Sequence, residues 1–423
     1  MEKTLYTKNG VAVHSLKNGK ISSFTISLFA RCGVMYEGEK ENGLAHFFEH
    51  AVFRSINNVM GGTLYETLDR YGLYFNAATY SNHIEFTVTG ATKHFEIAAK
   101  IITMVLKPLT LSKNDRDLEA KRIKAEIREE DEGSISLFAD KLIYGGTPLS
   151  RPIAGKCSDI DRLGLKLLKT RHSKIINKEN IFFFVAGAFP ENAETILSDL
   201  IENEQVATAI PLSNAPAVPN SFGKRDCTVA IKTSPSTSVL ISFDIDRSGY
   251  SVPELFYLCD LIFAGESCPM YRVMSEETGT VYSYDENLSC YDGFAVISVS
   301  FDVKSDKLMK ALEIFFGMLR DIRGNLGSRI PLVTASYTDN ATRILDDSES
   351  IVSAFGYQNH ILGLNARTID DRIAAFTDIS AVRIEALAKK TFVTDNLVIA
   401  IKGNKKQVNT EAIRSLAQSI LDN

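Results

Sequence analysis

Residues 46–50 read His46-Phe47-Phe48-Glu49-His50, and this stretch predicts a helix with two unlike faces. At about 100° per residue, the imidazoles of His46 and His50 lie about 40° apart, with Glu49 on the same side. The opposite side is apolar and predicts a buried back made of Leu44, Phe47, Phe48, Ala51 and Val52. Two histidines at i and i+4 can bind one Zn²⁺, and a carboxylate outside the ligand set can act as a general base.

The alternative for residues 46–50 is a surface helix with two solvated histidines and an exposed glutamate. The chain has only 7 His in 423 residues, so a chance match to this pattern is expected in about one percent of such chains. The order His-x-x-Glu-His is the inverse of the commoner zinc-peptidase motif. These considerations favour a metal site.

Composition narrows the class of protein. A length of 423 residues with 45% hydrophobic residues is enough for about two to three domains. The net charge of −5, without long charged blocks, gives no sign of a nucleic-acid or membrane partner. The first eight residues lack the apolar segment of a signal peptide, and the apolar run 181–189 is about half a membrane span, which predicts a buried strand. Six scattered cysteines predict reduced thiols and a cytoplasmic location.

The chain contains a weak internal repeat. Residues 180–187 resemble residues 396–403, with the Asn and Gly of each pair 216 positions apart. Predicted helices follow at 191–203 and 410–421. A strand-turn-helix pattern also recurs, at 86–106 and at 297–319. Four elements in matching order predict two domains of common α+β architecture.

The segment 207–224 carries Pro211, Pro216 and Pro219 among small polar residues, which is typical of an extended linker. We therefore expect one domain at 1–206 and a second at 225–423. Alternating patterns at 25–29 and 239–243 favour a mostly antiparallel sheet with helices on one face in each domain. Two such domains facing each other would enclose a cavity.

A catalytic zinc needs a third protein ligand and an open position for water. The best acidic candidates lie in a charged helix predicted at 112–132, where Ser112 is a suitable N-cap. Glu119 and Glu126 are seven residues apart, so they lie about 20° from each other at the edge of the apolar stripe. Glu126 is the first choice on this basis, and two other carboxylates remain geometric alternatives: Glu129 and Glu130.

These residues resemble the M16 metallopeptidases (pitrilysin/insulinase family), in particular short members such as mitochondrial processing peptidase subunits and bacterial relatives. In that family His-x-x-Glu-His is followed about 76 residues later by a ligand Glu, itself seven after another Glu. Glu126 is 76 residues after His50 and seven after Glu119. Glu37 and Gly43 ahead of the motif, and residues 72–79 after it, also fit. The resemblance covers nearly the whole chain and is most specific in its first half.

By this resemblance, His46, His50 and Glu126 bind Zn²⁺ and Glu49 activates the attacking water. Glu119 is a carboxylate that supports the site from outside the ligand set, so its loss should weaken metal binding or turnover and leave the fold intact.

The resemblance also makes the strand-like stretch ending at Asn76 and Ala77 an edge strand. An extended peptide would add to it by main-chain hydrogen bonds, which give affinity with little side-chain specificity. The alternative is that Asn76 only ends a strand. His83 stands where the family usually has a carboxylate, and we interpret it as a surface or strand residue and not a fourth ligand.

The second half departs from the family pattern. Members that complete the site carry Arg and Tyr seven apart, which hold the substrate carbonyl and backbone. Tyr282 matches, but Ser275 stands in place of the Arg and lacks its charge and reach. Arg272 could substitute only if the helix shifted register.

Two short M16 subunits usually make one clamshell, and each chain would then form half of it. An intact zinc half with a damaged Arg/Tyr half favours a heterodimer, in which a second M16-like protein supplies the missing pair; a homodimer using Tyr282 is the alternative. The leading function is a zinc endopeptidase acting on short extended or unfolded peptides in an enclosed chamber, with maturation of a peptide product as one role. It could be inert until paired. The rival is a non-catalytic scaffold or peptide-binding subunit.

Overall fold

The computed structural model describes residues 1–129, 134–207 and 218–422. Its strands are β1 Lys3–Tyr6, β2 Ala12–Lys17, β3 Ser23–Arg31, β4 Tyr74–Thr79, β5 His83–Ala91, β6 Ile181–Gly187, β7 Thr228–Thr233, β8 Ser238–Asp246, β9 Tyr284–Tyr291, β10 Phe294–Asp302 and β11 Leu397–Gly403. Its α-helices are α1 Leu44–Val59, α2 Leu64–Tyr71, α3 Phe95–Thr103, α4 Lys113–Glu129, α5 Ile135–Ile143, α6 Cys157–Arg162, α7 Leu165–Ile175, α8 Ala193–Glu202, α9 Val252–Phe263, α10 Leu308–Ile322, α11 Ile330–Ala341, α12 Ser348–Ile351, α13 Gln358–His360, α14 Ile369–Thr377, α15 Ala381–Thr391 and α16 Thr410–Leu421.

The strands form two sheets of the same design. The first has the order β1-β2-β6-β3-β5-β4 and the second β7-β11-β8-β10-β9. In each sheet one pair is parallel, β2 with β6 and β7 with β11, and the other neighbours are antiparallel. Apart from β1, the two orders correspond strand for strand. The predicted α+β fold with a duplicated, mostly antiparallel sheet is confirmed.

Local sequence patterns located several elements closely. The predicted helix 410–421 is α16, and the two repeated segments are β6 and β11 with their following helices. β6 lies between β2 and β3, inside the first sheet. Six of its seven residues, on both faces of the strand, are buried, which explains its unbroken apolar run.

The described residues group into two compact units. Unit 1 comprises 1–129, 151–207 and 342–361, and unit 2 comprises 134–150, 218–341 and 362–422. Two short segments therefore depart from the predicted domains 1–206 and 225–423. The segment 134–150 contains α5, which packs on β8 and β11 of unit 2, while 342–361 packs on β3 and β6 of unit 1. Most of the predicted linker 207–224 lies outside the described residues, and the linker stays a prediction.

β3 shows how unit 1 uses both faces of its sheet. Its even-numbered residues face the helices in the main core: Phe24, Ile26, Leu28 and Ala30. On the other face, the hydroxyl of Thr25 lies 2.8 Å from that of Ser348, and Gly356 lies against Phe29 and Phe184. Segment 342–361 thus covers part of the face that the predicted one-sided layer of helices leaves open.

Two further properties bear on the class of protein. No helix in the described part of the chain is both long enough and apolar enough to cross a membrane. All six cysteines are unbonded, five of them buried and Cys157 half-buried.

Candidate metal centre

The start of α1 is fixed by a buried carboxylate. Glu37 accepts hydrogen bonds from the backbone N–H groups of Gly43 (3.0 Å) and Ala45 (2.8 Å), which are unpaired donors of the helix N-terminus. Burial raises the pKa of Glu37, against the lowering effect of these bonds. Gly43 has φ of 86°, and a Cβ there would lie 2.7 Å from the Ala154 carbonyl oxygen, so glycine is required. These contacts set the position of His46 one turn later.

α1 has the two faces that its sequence predicts. All five residues of the predicted apolar back are buried in the core of unit 1: Leu44, Phe47, Phe48, Ala51 and Val52. On the other face the side chains of His46, Glu49 and His50 keep 12%, 13% and 21% of their surface exposed. The helix therefore presents three polar groups from a fixed apolar base.

α4 supplies the third donor. Ser112 caps this helix, since its hydroxyl accepts from the Asp115 N–H (3.1 Å) and its own N–H donates to the Asp115 carboxylate (2.8 Å). Ile123 and Ile127 are buried, which turns the neighbouring Glu126 toward α1. Of the two alternative ligands, Glu129 is exposed and is not part of the group that Glu126 forms with the two histidines of α1. Glu130 lies outside the described residues.

We call the group formed by His46, His50 and Glu126 the metal centre. Donor atoms of all three lie within 4.8 Å of one another. The Oε2 atom of Glu126 is 3.2 Å from His46 Nε2 and 3.4 Å from His50 Nε2. Ligands placed tetrahedrally about 2.0–2.1 Å from Zn²⁺ lie about 3.4 Å apart, so this donor set fits a zinc ion. Hydrogen bonding to His46 lowers the pKa of Glu126, which keeps its carboxylate ionised for such a role.

Glu119 holds the far side of His50. Its Oε2 is 3.5 Å from His50 Nδ1, and its Oε1 accepts a 2.7 Å hydrogen bond from Arg54 Nε. Burial alone would raise the pKa of Glu119, but the bonds from His50 and Arg54 outweigh it and lower the pKa. An ionised Glu119 favours the proton on Nδ1 of His50, which leaves the Nε2 lone pair available to a metal.

Glu49 stands beside the metal centre and outside it. Its Oε2 is 4.0 Å from His46 Nδ1 and accepts a 2.5 Å hydrogen bond from the Thr79 hydroxyl of β4. Glu49, His50 and Glu126 also line a cavity of about 540 Å³ in unit 1. The structure thus places a carboxylate that is outside the donor set next to the three donors, and Thr79 ties it to the neighbouring strand.

That strand is longer than predicted. Asn76 and Ala77 lie inside β4, which continues to Thr79, so the strand does not end at Asn76 as expected. Their role in substrate binding stays a prediction. Among the described strands, β4 pairs with β5 alone and is the edge of its sheet. His83 begins β5, is 2% exposed and stacks between Tyr80 and Tyr357, and burial lowers its pKa to about 4. It is a strand residue and lies outside the metal centre.

The residues of the second half lie in unit 2. Tyr282 precedes β9 and is 96% exposed. Ser275 and Arg272 belong to a π-helical segment, Tyr271–Glu277, in which Arg272 pairs with Glu277 at 3.7 Å. The assignment of Tyr282 to substrate binding stays a prediction.

Sequence reasoning missed a second group of the same composition. Glu2, His14 and His360 also have donor atoms within 4.8 Å of one another, and we call them the Glu2 cluster. The Glu2 carboxylate is 3.0 Å from His360 Nε2 and accepts a 2.9 Å bond from Asn359 Nδ2. These residues are spread over the sequence, and no local pattern marks them.

The two-sheet fold and the inverted histidine motif define the class of protein, and comparison with known proteins agrees. The profile described as "Insulinase (Peptidase family M16)" matches residues 11–156, and that described as "Peptidase M16 inactive domain" matches residues 162–328. This chain belongs to the M16 peptidase family.

Three similar proteins illustrate the relationship. An uncharacterized zinc protease of Rickettsia felis is 23% identical over 71% of this chain and 73% of its own length. Subunit beta of the rat mitochondrial-processing peptidase is 28% identical over 38% of this chain and 33% of its own length. The crystal structure of a protease from Helicobacter pylori, 17% identical, superposes with a TM-score of 0.83 over 95% of this chain and 99% of that one.

Proposed function

We propose that this chain is a zinc-dependent endopeptidase acting on short, extended or unfolded peptides. The observation that carries the proposal is the convergence of His46, His50 and Glu126 from two helices, with Glu49 adjacent and outside the set. When bound, zinc would supply a Lewis acid that polarises the scissile carbonyl and lowers the pKa of water.

The chain's own residues supply the proton transfers and the orientation. Glu49 accepts a proton from the attacking water and returns it to the leaving amine. Because Thr79 donates to Oε2 of Glu49, the other carboxylate oxygen remains for the proton. Glu119 and Arg54 hold His50 in the tautomer that a metal ligand needs. The edge strand β4 supports binding of an extended peptide by main-chain hydrogen bonds.

The test is zinc content and peptide cleavage measured on the same preparations. We expect the purified chain to bind about one zinc ion per chain. The Glu49→Gln variant should retain this zinc and lose about 10²–10⁴-fold in turnover. Glu96→Gln, an exposed change on α3, is the matched control and should behave as the parent chain. Peptide cleavage by Glu49→Gln at the parent rate would contradict the catalytic assignment.

We further propose that the chain is the zinc-bearing half of a two-subunit enzyme that forms an enclosed clamshell chamber, with peptide maturation as a role and a cytoplasmic location. A relative named as a peptidase subunit supports pairing, as does Ser275 in place of the expected Arg. A heterodimer is favoured, and a homodimer using Tyr282 is the alternative. Co-purification, followed by assay of the mixture, tests this: a large gain in turnover with a second M16-like chain supports the heterodimer, and full activity of the chain alone contradicts it.

A non-catalytic scaffold or peptide-binding subunit is the second candidate. Ser275, at the position where the family pattern has Arg, favours the scaffold. The presence of all four zinc-site residues favours the enzyme. Zinc-loaded protein that binds peptides and cleaves none, alone or with its partner, would decide for the scaffold.

A further inference from the structure

A second cavity lies along β4, on the face of the sheet that the core helices do not cover. Its volume is about 400 Å³. Residues of β4 and β5 form one part of its lining, and Glu349, Val352, Ser353 and Tyr357 of segment 342–361 form another. The cavity therefore belongs wholly to unit 1 and runs beside the edge where a peptide strand would add.

The register of the hairpin shows which groups of β4 face that edge. Tyr80 N–H donates to the His83 carbonyl (2.8 Å), so this pair is hydrogen-bonded, and Ala78 with Glu85 continues the same register. Hydrogen-bonded pairs alternate along an antiparallel ladder. The backbone groups of Phe75, Ala77 and Thr79 consequently point outward, toward an added strand.

Side chains alternate in the same way. Ala77 packs against the helical core while also bordering the cavity, and Thr79 reaches Glu49. The other cavity-lining residues of β4 are Tyr74, Asn76 and Ala78. A peptide strand paired with β4 would therefore place alternate side chains on the Glu49 side and on the cavity side. Every second side chain of such a strand would face the cavity side of the sheet.

The cavity carries negative charge. Glu85 lies directly across from Ala78, and Glu349 enters from the opposite wall; no Lys or Arg is found among the described residues that line the cavity. Thr87 donates to Glu85 (3.1 Å) and Thr89 to Glu349 (2.9 Å), which leaves each carboxylate further acceptor capacity. Burial, together with the charge of Glu349, raises the pKa of Glu85. A cation placed here would relieve that repulsion.

Two aromatic rings border the same space. Tyr74 is 62% and Tyr80 46% exposed, and both line the cavity. Exposed tyrosine faces attract ammonium and guanidinium groups. A long side chain ending in a positive charge matches both the rings near the edge and the carboxylates beyond them.

We propose that this cavity is a specificity pocket for a Lys or Arg side chain of the bound peptide, selected by Glu85 and Glu349. The proposal rests on the proposed peptidase function and adds the substrate class to it. Neither carboxylate belongs to the metal centre or lines the cavity beside it, so they act on the choice of peptide and not on the chemistry.

Matched peptides provide the test. A peptide cleaved by the parent chain is synthesised with Lys, norleucine or Glu at each position in turn. At one position on the cavity side we expect kcat/KM to be about tenfold higher for Lys than for norleucine, the size of one favourable charge interaction of about 1.4 kcal/mol. Glu349→Gln and Glu85→Gln should each reduce that ratio to about threefold or less, while Glu96→Gln leaves it unchanged.

The outcomes separate this proposal from the proposed function. Glu349 is exposed, so its substitution should not disturb folding, and an unchanged Lys preference in both variants overturns the pocket. If the parent chain cleaves no peptide with or without a partner, the peptidase function fails, and the pocket is tested by fluorescence anisotropy with labelled Lys and norleucine peptides. Equal affinity for the two peptides then overturns it, and a Lys preference lost in Glu349→Gln supports it.

Discussion

The metal centre and the Glu2 cluster have the same composition but different geometry. In the metal centre the rings of His46 and His50 are 4.7 Å apart and inclined by 60°. In the Glu2 cluster the rings of His14 and His360 are stacked at 3.8 Å and inclined by only 26°. An imidazole binds a metal through a lone pair in the ring plane, and the planes of nearly parallel stacked rings meet only far from both rings. Two histidines and a glutamate therefore make a chelate only when the backbone sets the ring planes.

The backbone explains the difference. His46 and His50 are four residues apart on one helix, so their separation is fixed as soon as α1 forms. In the Glu2 cluster, His14 on β2 and His360 at the end of α13 are brought together only when segment 342–361 docks, and Glu2 is held by Asn359 and His360. We interpret the Glu2 cluster as a hydrogen-bonded tether between the start of the chain and this segment.

The largest expected effect is on zinc affinity, when Glu is replaced by Gln either in the metal centre or in the Glu2 cluster. Glu126→Gln removes one of three ligands and should weaken zinc binding by more than about 100-fold, beyond the range for outer-sphere partners. Glu2→Gln should change it less than about twofold. Competition with a chelator of known affinity measures both. Equal losses in the two variants would mean that the geometric distinction is wrong.

A smaller effect is expected at Glu119. It distinguishes a residue that orients a metal ligand from a residue that binds the metal itself. Glu119→Gln keeps the size of the side chain but loses the charge that fixes the His50 tautomer, so zinc affinity should fall by about 10–100-fold. Circular dichroism should show an unchanged fold. A loss as large as that of Glu126→Gln would make Glu119 a ligand.

The smallest effect concerns stability and tests the tether. Burial would raise the pKa of Glu2, but His360 and Asn359 lower it overall. A lowered folded-state pKa contributes stability above the ordinary value of about 4.5 and loses it as pH falls through the folded value. Glu2→Gln should therefore cost about 2 kcal/mol at pH 7 and clearly less at pH 3.5. Urea unfolding at the two pH values measures this, and an equal cost at both would exclude an ionised Glu2.

Local periodicity was sufficient for much of the fold and site. The pattern of Phe47 and Phe48 against His46 and His50 gives α1 its buried and polar faces without reference to the rest of the chain. Ser112 and the spacing of Glu119 and Glu126 likewise describe α4, because capping and helical phase are properties of neighbouring residues. That Glu126 reaches both histidines came from the family resemblance, since the helix alone left Glu129 and Glu130 open.

Features that depend on distant residues could not be predicted in this way. The Glu2 cluster joins residues 2, 14 and 360, and the pocket at β4 joins Glu85 to Glu349. The two segments that depart from the predicted domains belong to units remote in sequence. In each case tertiary packing selects the partner, and no spacing in the chain records it.

The position of segment 342–361 constrains the order of synthesis. Unit 1 is not complete when residue 207 leaves the ribosome, because the strand face that carries Phe29 and Phe184 is covered by residues made about 140 positions later. A nascent chain must therefore keep this apolar face from aggregating while most of unit 2 is translated, and a fragment that stops at the end of the first half would lack one wall of the β4 cavity.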